Sequence, residues 1–279
     1  MESVRVGDAV GVSTSERASP RAVRTRATRQ QRIVEHVLAR GSASATELVE
    51  LTGVSLMTVH RDVDELARRG LVRKYRGGVS AQPTSVFESH SEYRRTVRLA
   101  EKNAIAGTAL EMVEPGSSIM VDDSTSALAL VRRLHEVGPL TVVTNYLPAL
   151  EHLKELPEIR LIALGGEHSR THDSFIAPPD QSNLESYAVD ITFQSTSTMD
   201  ERMTYHQEQD IVSMKRVMLR AGRRRVLMMD SSKVGATSLH RFAPVSDFTD
   251  VILTDDVATP MVDRIAERAT VHLAGVEHR

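Results

Sequence analysis

At 279 residues and 41% hydrophobic content the chain is longer than one small domain needs, and its lack of cysteine excludes disulfides, thiolate metal sites and a cysteine nucleophile. No apolar run approaches the roughly 20 residues that span a bilayer, and residues 1–20 lack the apolar segment of a secretory signal, so a cytoplasmic protein with no membrane partner is expected. The net charge of −2 is unevenly shared: residues 1–80 hold 14 Lys and Arg against 9 Asp and Glu, the rest 21 against 28, so only the basic head is expected to meet a polyanion.

Residues 1–27 are rich in Val, Ser, Thr, Gly and Arg without periodicity and read as a flexible basic tail, with Arg21, Arg24, Arg26 and Arg29 adding weak phosphate attraction. From Arg29 the apolar residues Ile33, Val34, Val37 and Leu38 fall at helical spacing, and Gly41 stops them. Ser44 with Glu47 three residues later is a capping box, and the short helix it opens turns Leu48, Val49 and Leu51 inward before Gly53 ends it. Ser55 caps a third helix that runs to Arg69, with Leu56, Val59, Val63 and Leu66 inward, and closes at Gly70. A short helix, a tight turn and a polar-faced helix make a helix-turn-helix. Its second helix presents Ser55, Met57, Thr58, His60 and Arg61 near the end that enters a major groove, where hydroxyls and arginines reach phosphates and base edges. Leu71 to Val79 reads as a strand, a Gly77-Gly78 turn and a second strand, a basic wing that lays Arg73, Lys74 and Arg76 along the DNA backbone. Residues 28–80 are therefore expected to form a winged helix-turn-helix whose partner is a double-stranded DNA operator.

The stretch Arg32-Ile33 through Leu48, then Val54-Ser55 with Thr58-Val59-His60-Arg61-Asp62-Val63, and finally Leu66 to Arg73 with Gly77-Gly78-Val79, resembles the DeoR-type bacterial repressors. In that family the recognition helix usually reads Thr-hydrophobic-Arg-Arg-Asp-Leu, and here His60 stands in place of the first Arg.

Residues 81–87 are polar and interrupted by Pro83, as a linker is. One long helix is expected from about Glu88 to Val113, ahead of Pro115-Gly116. Strands are then expected at 118–121, 140–144, 159–164, 189–194, 225–229, 250–254 and 270–273, and helices at 127–134, 147–153, 209–221 and 260–268. Such alternation implies an α/β, Rossmann-like domain over residues 88–279, its mainly parallel sheet covered on both faces. Ligands of such sheets bind beyond the carboxyl ends of the strands.

At those ends the chain gathers small polar groups. Asp123, Ser124, Thr125 and Ser126 open a helix, where backbone N–H groups and hydroxyls can cradle an anion, although the same residues suit plain capping. Asn145, Gly165 with Gly166, Ser195 with Thr196 and Ser197, and Lys233 follow later strands, and Lys215 lies on a helix before one of them. A metal site could draw on His168, His172 and His206, the first two spaced as zinc ligands on a helix would be, but that pair sits in a loop rich in Gly, Ser and Thr, so neither a metal nor a cofactor is expected.

The family resemblance resumes at Val121-Asp122-Asp123-Ser124-Thr125-Ser126, which is similar to the family's phosphosugar loop. It continues at Val143-Thr144-Asn145, Leu164-Gly165-Gly166, Ser174-Phe175-Ile176, Met214-Lys215-Arg216 and Asp230 to Gly235. At Gln194-Ser195-Thr196-Ser197 many members instead carry Gly-Ala-Asp/Glu-Gly. The resemblance implies a sensor domain similar to ribose-5-phosphate isomerases, in a repressor of a carbohydrate operon that responds to a sugar phosphate. Two alternatives remain. An isomerase-like enzyme would use Asp123 as base and Lys215 as stabiliser, and a constitutive DNA-binding homo-oligomer would need no effector at all.

Overall fold

The computed structural model describes residues 26–177 and 183–276. Arg21 and Arg24 of the expected tail lie outside the described residues, and Arg26 already belongs to the first helix. The head consists of α1 (Arg26–Arg40), β1 (Ser42–Ser44), α2 (Ala45–Thr52), α3 (Leu56–Arg68), β2 (Arg73–Tyr75) and β3 (Gly78–Ser80). Ser44 builds the capping box read from the sequence: its hydroxyl accepts the Glu47 N–H at 3.2 Å, while the Glu47 carboxylate accepts the Ser44 N–H at 2.7 Å. The wing hairpin is an antiparallel sheet in the order β1-β3-β2, whose first strand was not expected. The turn falls one residue earlier than Gly77-Gly78 suggests. Gly77 takes φ +94°, and Gly78 is already in β3, where a Cβ would meet the Ala43 carbonyl oxygen at 2.4 Å.

Ile33, Val37, Leu48, Val59, Val63 and Leu66 close the head core. Leu56, expected inward, is 50% exposed, because the first turn of α3 projects past the buried stripe that starts at Val59. A buried carboxylate ties α3 to α1. Asp62 accepts from Arg29 Nε at 2.5 Å and from Gln30 Nε2 at 3.2 Å, and Arg26 lies 3.6 Å away.

The body begins with α4 (Ser91–Thr96) and α5 (Leu99–Leu110), so the single helix expected over 88–113 is in fact two. They break at Val97, which is extended, and Arg98, which sits at φ +55°. No Gly or Pro announces the break; the Lys102 ammonium imposes it by donating to the carbonyls of Arg94 and Val97 at the end of α4.

The strands β4 (Ser118–Val121), β5 (Leu140–Thr144), β6 (Ile159–Ala163), β9 (Val189–Gln194), β12 (Gly222–Met229), β14 (Asp250–Thr254) and β15 (Thr270–Ala274) form one parallel sheet in the order β15-β14-β12-β9-β4-β5-β6. Alternating residues point to opposite faces. Ile119, Val121 and Val142 pack with Ile105, Leu130 and Leu153, under α5, α6 (Thr125–Val131) and α7 (Leu147–Leu153). Met120 and Val143 pack with Met214 and Met218 of α8 (Gln209–Ala221), and Val251 and Leu253 with Ile265 of α9 (Thr259–Ala266) on the same side.

Two small antiparallel pieces were not legible in the sequence: the hairpin β7 (Glu167–Ser169)–β8 (Ser174–Ile176), and the sheet of β10 (Thr198–Met199), β11 (Met203–His206) and β13 (His240–Pro244). Strands of two to five residues carry too short an alternation to register. Strand order reverses between β4 and β9, with later strands added outward on each side, and this is the switch point at which such sheets open a crevice.

Asp62→Ala should strip the partners from Arg29 and Gln30 and destabilise the head by about 3 kcal/mol. In urea unfolding followed by circular dichroism, an early transition should separate from that of the body; an unchanged profile would show that the ion pair holds nothing.

Candidate DNA-reading face and ligand cavity

On α3, Ser55 and Thr58 are partly spent on capping: the Ser55 hydroxyl lies 3.0 Å from that of Thr58 and accepts the Thr58 N–H. Met57 is 64% exposed, and His60 and Arg61 are exposed beside it. Neither Arg61 nor the exposed wing residue Arg76 has an acidic partner among the described residues, whereas Arg26, Arg29 and Arg68 are paired with Asp62 or Glu65. Lys74 is bonded to Asp64 at 2.5 Å, and Arg73 is half-buried with its Nε unpartnered. Exposed, unpaired arginines at a helix start and a hairpin tip can meet phosphates and base edges without first breaking a bond.

At the switch point a cavity of about 660 Å³ opens. Its floor is the loop after β4. Asp122, fully buried, accepts from Lys215 Nζ at 2.5 Å, from the Ser195 N–H at 2.9 Å and from the Ser124 N–H at 3.1 Å, so it ties that loop to the end of β9 and to α8. Asp123 accepts from Lys215 at 3.0 Å and from the Ser174 hydroxyl at 2.8 Å. Burial would raise the Asp123 carboxyl, but Lys215 holds it well below the usual range; burial would lower Lys215, but Asp122 and Asp123 keep it above its ordinary value. The Ser124 hydroxyl caps α6 through the Ala127 N–H at 3.1 Å.

Of the residues singled out from the sequence as ligand-binding, Asp123, Ser124, Thr125, Ser195 with Thr196 and Ser197, Lys215 and Lys233 line the cavity, and so do His172 and His206, weighed there as metal ligands. Ser126, Asn145, Gly165 and Gly166 do not. Asn145 donates to the Phe175 carbonyl at 2.9 Å and so holds β8, and Gly166 is required because a Cβ would lie 2.4 Å from the Ile176 backbone. Their smallness and polarity serve the packing of the β7–β8 hairpin.

The other wall was missed by the sequence reading. It comes from residues 82–98, which lead out of the wing, and includes Glu88, Arg94 and Arg98, with Lys102, His172, His206 and Gln207 completing it. Glu88 accepts from the Ser197 hydroxyl at 2.6 Å and the Ser89 N–H at 2.8 Å, and lies 3.7 Å from His206 and 3.9 Å from Arg94. Burial would raise its carboxyl, but Arg94 leads the groups that hold it at about 2. Burial pushes His206 down to about 3 against the pull of Glu88, so the imidazole is neutral. His172 bridges Arg94 at 3.2 Å and Glu208 at 3.1 Å. Burial, aided by the charge of Lys233, lowers Lys102 to about 7. Lys102 carried one signal in the sequence: it stands one turn before Ile105 and Ala106, on the buried stripe of α5. Among the described residues no cluster of three or more His, Asp or Glu is placed to hold a metal ion, and no helix is long and apolar enough to cross a membrane.

Comparison with known proteins finds two family models along the chain. One described as the DeoR-like helix-turn-helix domain matches residues 29–84, and one described as the DeoR C terminal sensor domain matches residues 97–256. The uncharacterized HTH-type transcriptional regulator YgbI of Escherichia coli K12 is 33% identical over 82% of this chain and 89% of its own. The glycerol-3-phosphate regulon repressor of the same organism is 28% identical over 81% and 90%. Among solved structures, a ribose 5-phosphate isomerase A from Methanocaldococcus jannaschii aligns at 18% identity with a TM-score of 0.36, covering 48% of this chain and 53% of that one.

An anion beside Lys102 favours its protonated form, so binding takes up a proton and affinity falls as pH rises through about 7. Sulfate, a dianion throughout, should bind about tenfold more weakly at pH 8 than at pH 6 in isothermal titration. Lys102→Met should bind it weakly at both; a flat wild-type profile would remove Lys102 from the anion site.

Proposed function

The chain belongs to the DeoR family of transcriptional regulators, and from that premise we propose that it represses a carbohydrate-metabolism operon under the control of a phosphorylated sugar seated in the cavity. The observation that carries this reading is the shared wall. The cavity is lined both by the switch-point loops of the body and by residues 82–98, through which the head is attached. A ligand that contacts both binds one arrangement of head and body better than another, and that difference is all that a regulated repressor requires. The relative named as the glycerol-3-phosphate regulon repressor is in keeping with a small phosphorylated effector.

Within the cavity we assign the phosphate to Lys102 and Lys233, with Thr125 and Ser124 as neutral donors. Lys215, the cation favoured by sequence, is a weaker candidate, because two carboxylates already match its charge. Among the described residues Lys102 has only backbone carbonyls as hydrogen-bond partners, and Lys233 bonds the Ser195 hydroxyl at 3.0 Å and faces a single carboxylate, Asp230, at 3.8 Å. The Thr125 hydroxyl makes no hydrogen bond among the described residues. We read the site as binding rather than catalytic. Asp123 would have to act as the base, and Lys215, bonded at 3.0 Å, holds its carboxyl well below the usual range and so makes it a weak proton acceptor.

We assign DNA binding to residues 28–80, a linker to 81–87 and effector sensing with homo-oligomerisation to 88–279. The recognition surface is Ser55, Met57, Thr58, His60 and Arg61, with Arg73, Lys74 and Arg76 on the wing.

Two experiments test this. In gel-shift titrations of a selected operator against a panel of sugar phosphates, the wild type should respond to at least one. Thr125→Ala should keep its operator affinity and lose that response; no response from the wild type to any member would end the effector reading. Arg61→Ala, folded by circular dichroism, should weaken operator binding by about 1 to 3 kcal/mol, and Arg76→Ala should weaken all sequences alike and lower the salt slope by about 1. The same titrations should count two or more protomers per operator. An Arg61→Ala protein that binds like the wild type would place the recognition surface elsewhere.

A further inference from the structure

The cavity has two chemically different ends. Lys102 donates to the Arg94 and Val97 carbonyls and Lys233 bonds the Ser195 hydroxyl, whereas Glu88 accepts from Ser197 and Ser89 and has the Arg94 guanidinium at 3.9 Å and the neutral His206 ring at 3.7 Å. The two residues thus belong to separate clusters that share Arg94. The first end offers donors: two ammonium groups. The second offers two acceptors set beside the Arg94 guanidinium and the His206 ring. Glu88 is a carboxylate, which accepts and never donates while ionised. Beside it Gln207 spends its Nε2 on the Thr84 carbonyl at 3.0 Å and leaves Oε1 buried without a partner. Gln207 is 4% exposed, and both residues line the cavity. An unpartnered buried acceptor is costly, by about 1 to 3 kcal/mol, unless something supplies a donor.

We propose that Glu88 is the specificity-determining residue of the cavity: with Gln207 Oε1 it accepts hydrogen bonds from hydroxyls at the uncharged end of the ligand and excludes any ligand that carries a second anionic group there. The preferred class is then a polyhydroxylated chain bearing one phosphate, and a bisphosphate or a phosphorylated sugar acid is rejected by the buried carboxylate. Glu88 and Thr84 both belong to the segment that leaves the wing, so the end of the ligand that distinguishes one sugar from another is read by the part of the body joined to the head. The inference rests on the assignment of the anion to Lys102 and Lys233.

Isothermal titration of the full chain should use inorganic phosphate and two pairs of probes that differ by a second phosphate: fructose 6-phosphate against fructose 1,6-bisphosphate, and ribose 5-phosphate against ribose 1,5-bisphosphate. The wild type should favour the monophosphate by about tenfold or more in at least one pair. In Glu88→Gln, which keeps the shape and removes the charge, that preference should collapse. Equal wild-type affinity within both pairs overturns the proposal, as does binding of inorganic phosphate with neither sugar monophosphate binding more tightly. A preference intact in folded Glu88→Gln also overturns it. The wild-type comparison needs no variant, so it decides even where Glu88→Gln fails to fold. Absence of any binding, inorganic phosphate included, is a different failure: it removes the anion site itself, and this inference with it.

Discussion

The geometry of the cavity depends on one buried ionic cluster. Asp122, Asp123 and Lys215 are all almost wholly excluded from solvent, and each buried ion costs several kcal/mol unless it is fully bonded. The cluster meets that condition by drawing on three separate parts of the chain. Lys215 comes from α8, and the Ser195 N–H from the end of β9. The Asp122 carboxylate, which also takes the Ser124 N–H, follows β4. Strands β4 and β9 are the pair across which strand order reverses; the sheet pairs them as far as Val121 and Phe193, and the Asp122 N–H reaches the Phe193 carbonyl at 3.2 Å. Beyond that point the Asp122 carboxylate joins the diverging loops. Hydrophobic burial shapes the sheet beneath, but the mouth of the crevice is set by electrostatics.

That arrangement constrains how an acidic body can receive an anion. Diffuse attraction is not available, since residues 81–279 hold 28 acidic against 21 basic side chains. Lys215 is the most buried cation near the loop, yet its charge is committed to two carboxylates. What is left is Lys102, kept close to its neutral form by burial and by Lys233, without a carboxylate bonded to it. A buried ammonium bonded only to carbonyls among the described residues gains more from an incoming anion than one already matched by two carboxylates.

How much of this the sequence disclosed follows from how local each determinant is. The capping box at Ser44 and Glu47, the helix turned by Gly53 and the seven parallel strands are written in neighbouring residues, and the strands and caps fall where periodicity places them. The break between α4 and α5 is not local: it is made by a lysine reaching back to two carbonyls, and the residues at the break are ordinary Val97 and Arg98. Likewise the loop after β4 identified one wall of the cavity, because position at a strand end is readable. The wall supplied by Glu88, Arg94 and Gln207 was not, since a glutamate at the start of an expected helix carries no pattern that sets it apart until the segment folds against the ends of β10 and β11. Small residues misled in the opposite direction. Asn145 and Gly166 stand at strand ends like ligand-binding residues, but they answer to the close approach of β8.

The linker is also where the energetics suit a switch. Neither Val86 nor Phe87 joins an apolar core, and Val86 is mostly exposed. The segment is held to the body by single polar contacts: Gln207 to the Thr84 carbonyl, the Leu239 N–H to Ser85, Ser197 to Glu88, and the Ser91 N–H to Thr171. Each is worth on the order of 1 kcal/mol net. Beyond it Tyr93 packs into the core of the head, whereas Ser91 bonds the buried Tyr146 of the body at 2.8 Å, so α4 answers to both domains at once. A segment with few apolar contacts and a handful of replaceable hydrogen bonds belongs to the weakly held part of a fold. A ligand whose affinity differs between two arrangements by a few kcal/mol can then redistribute them, a shift that a hydrophobically sealed joint would resist.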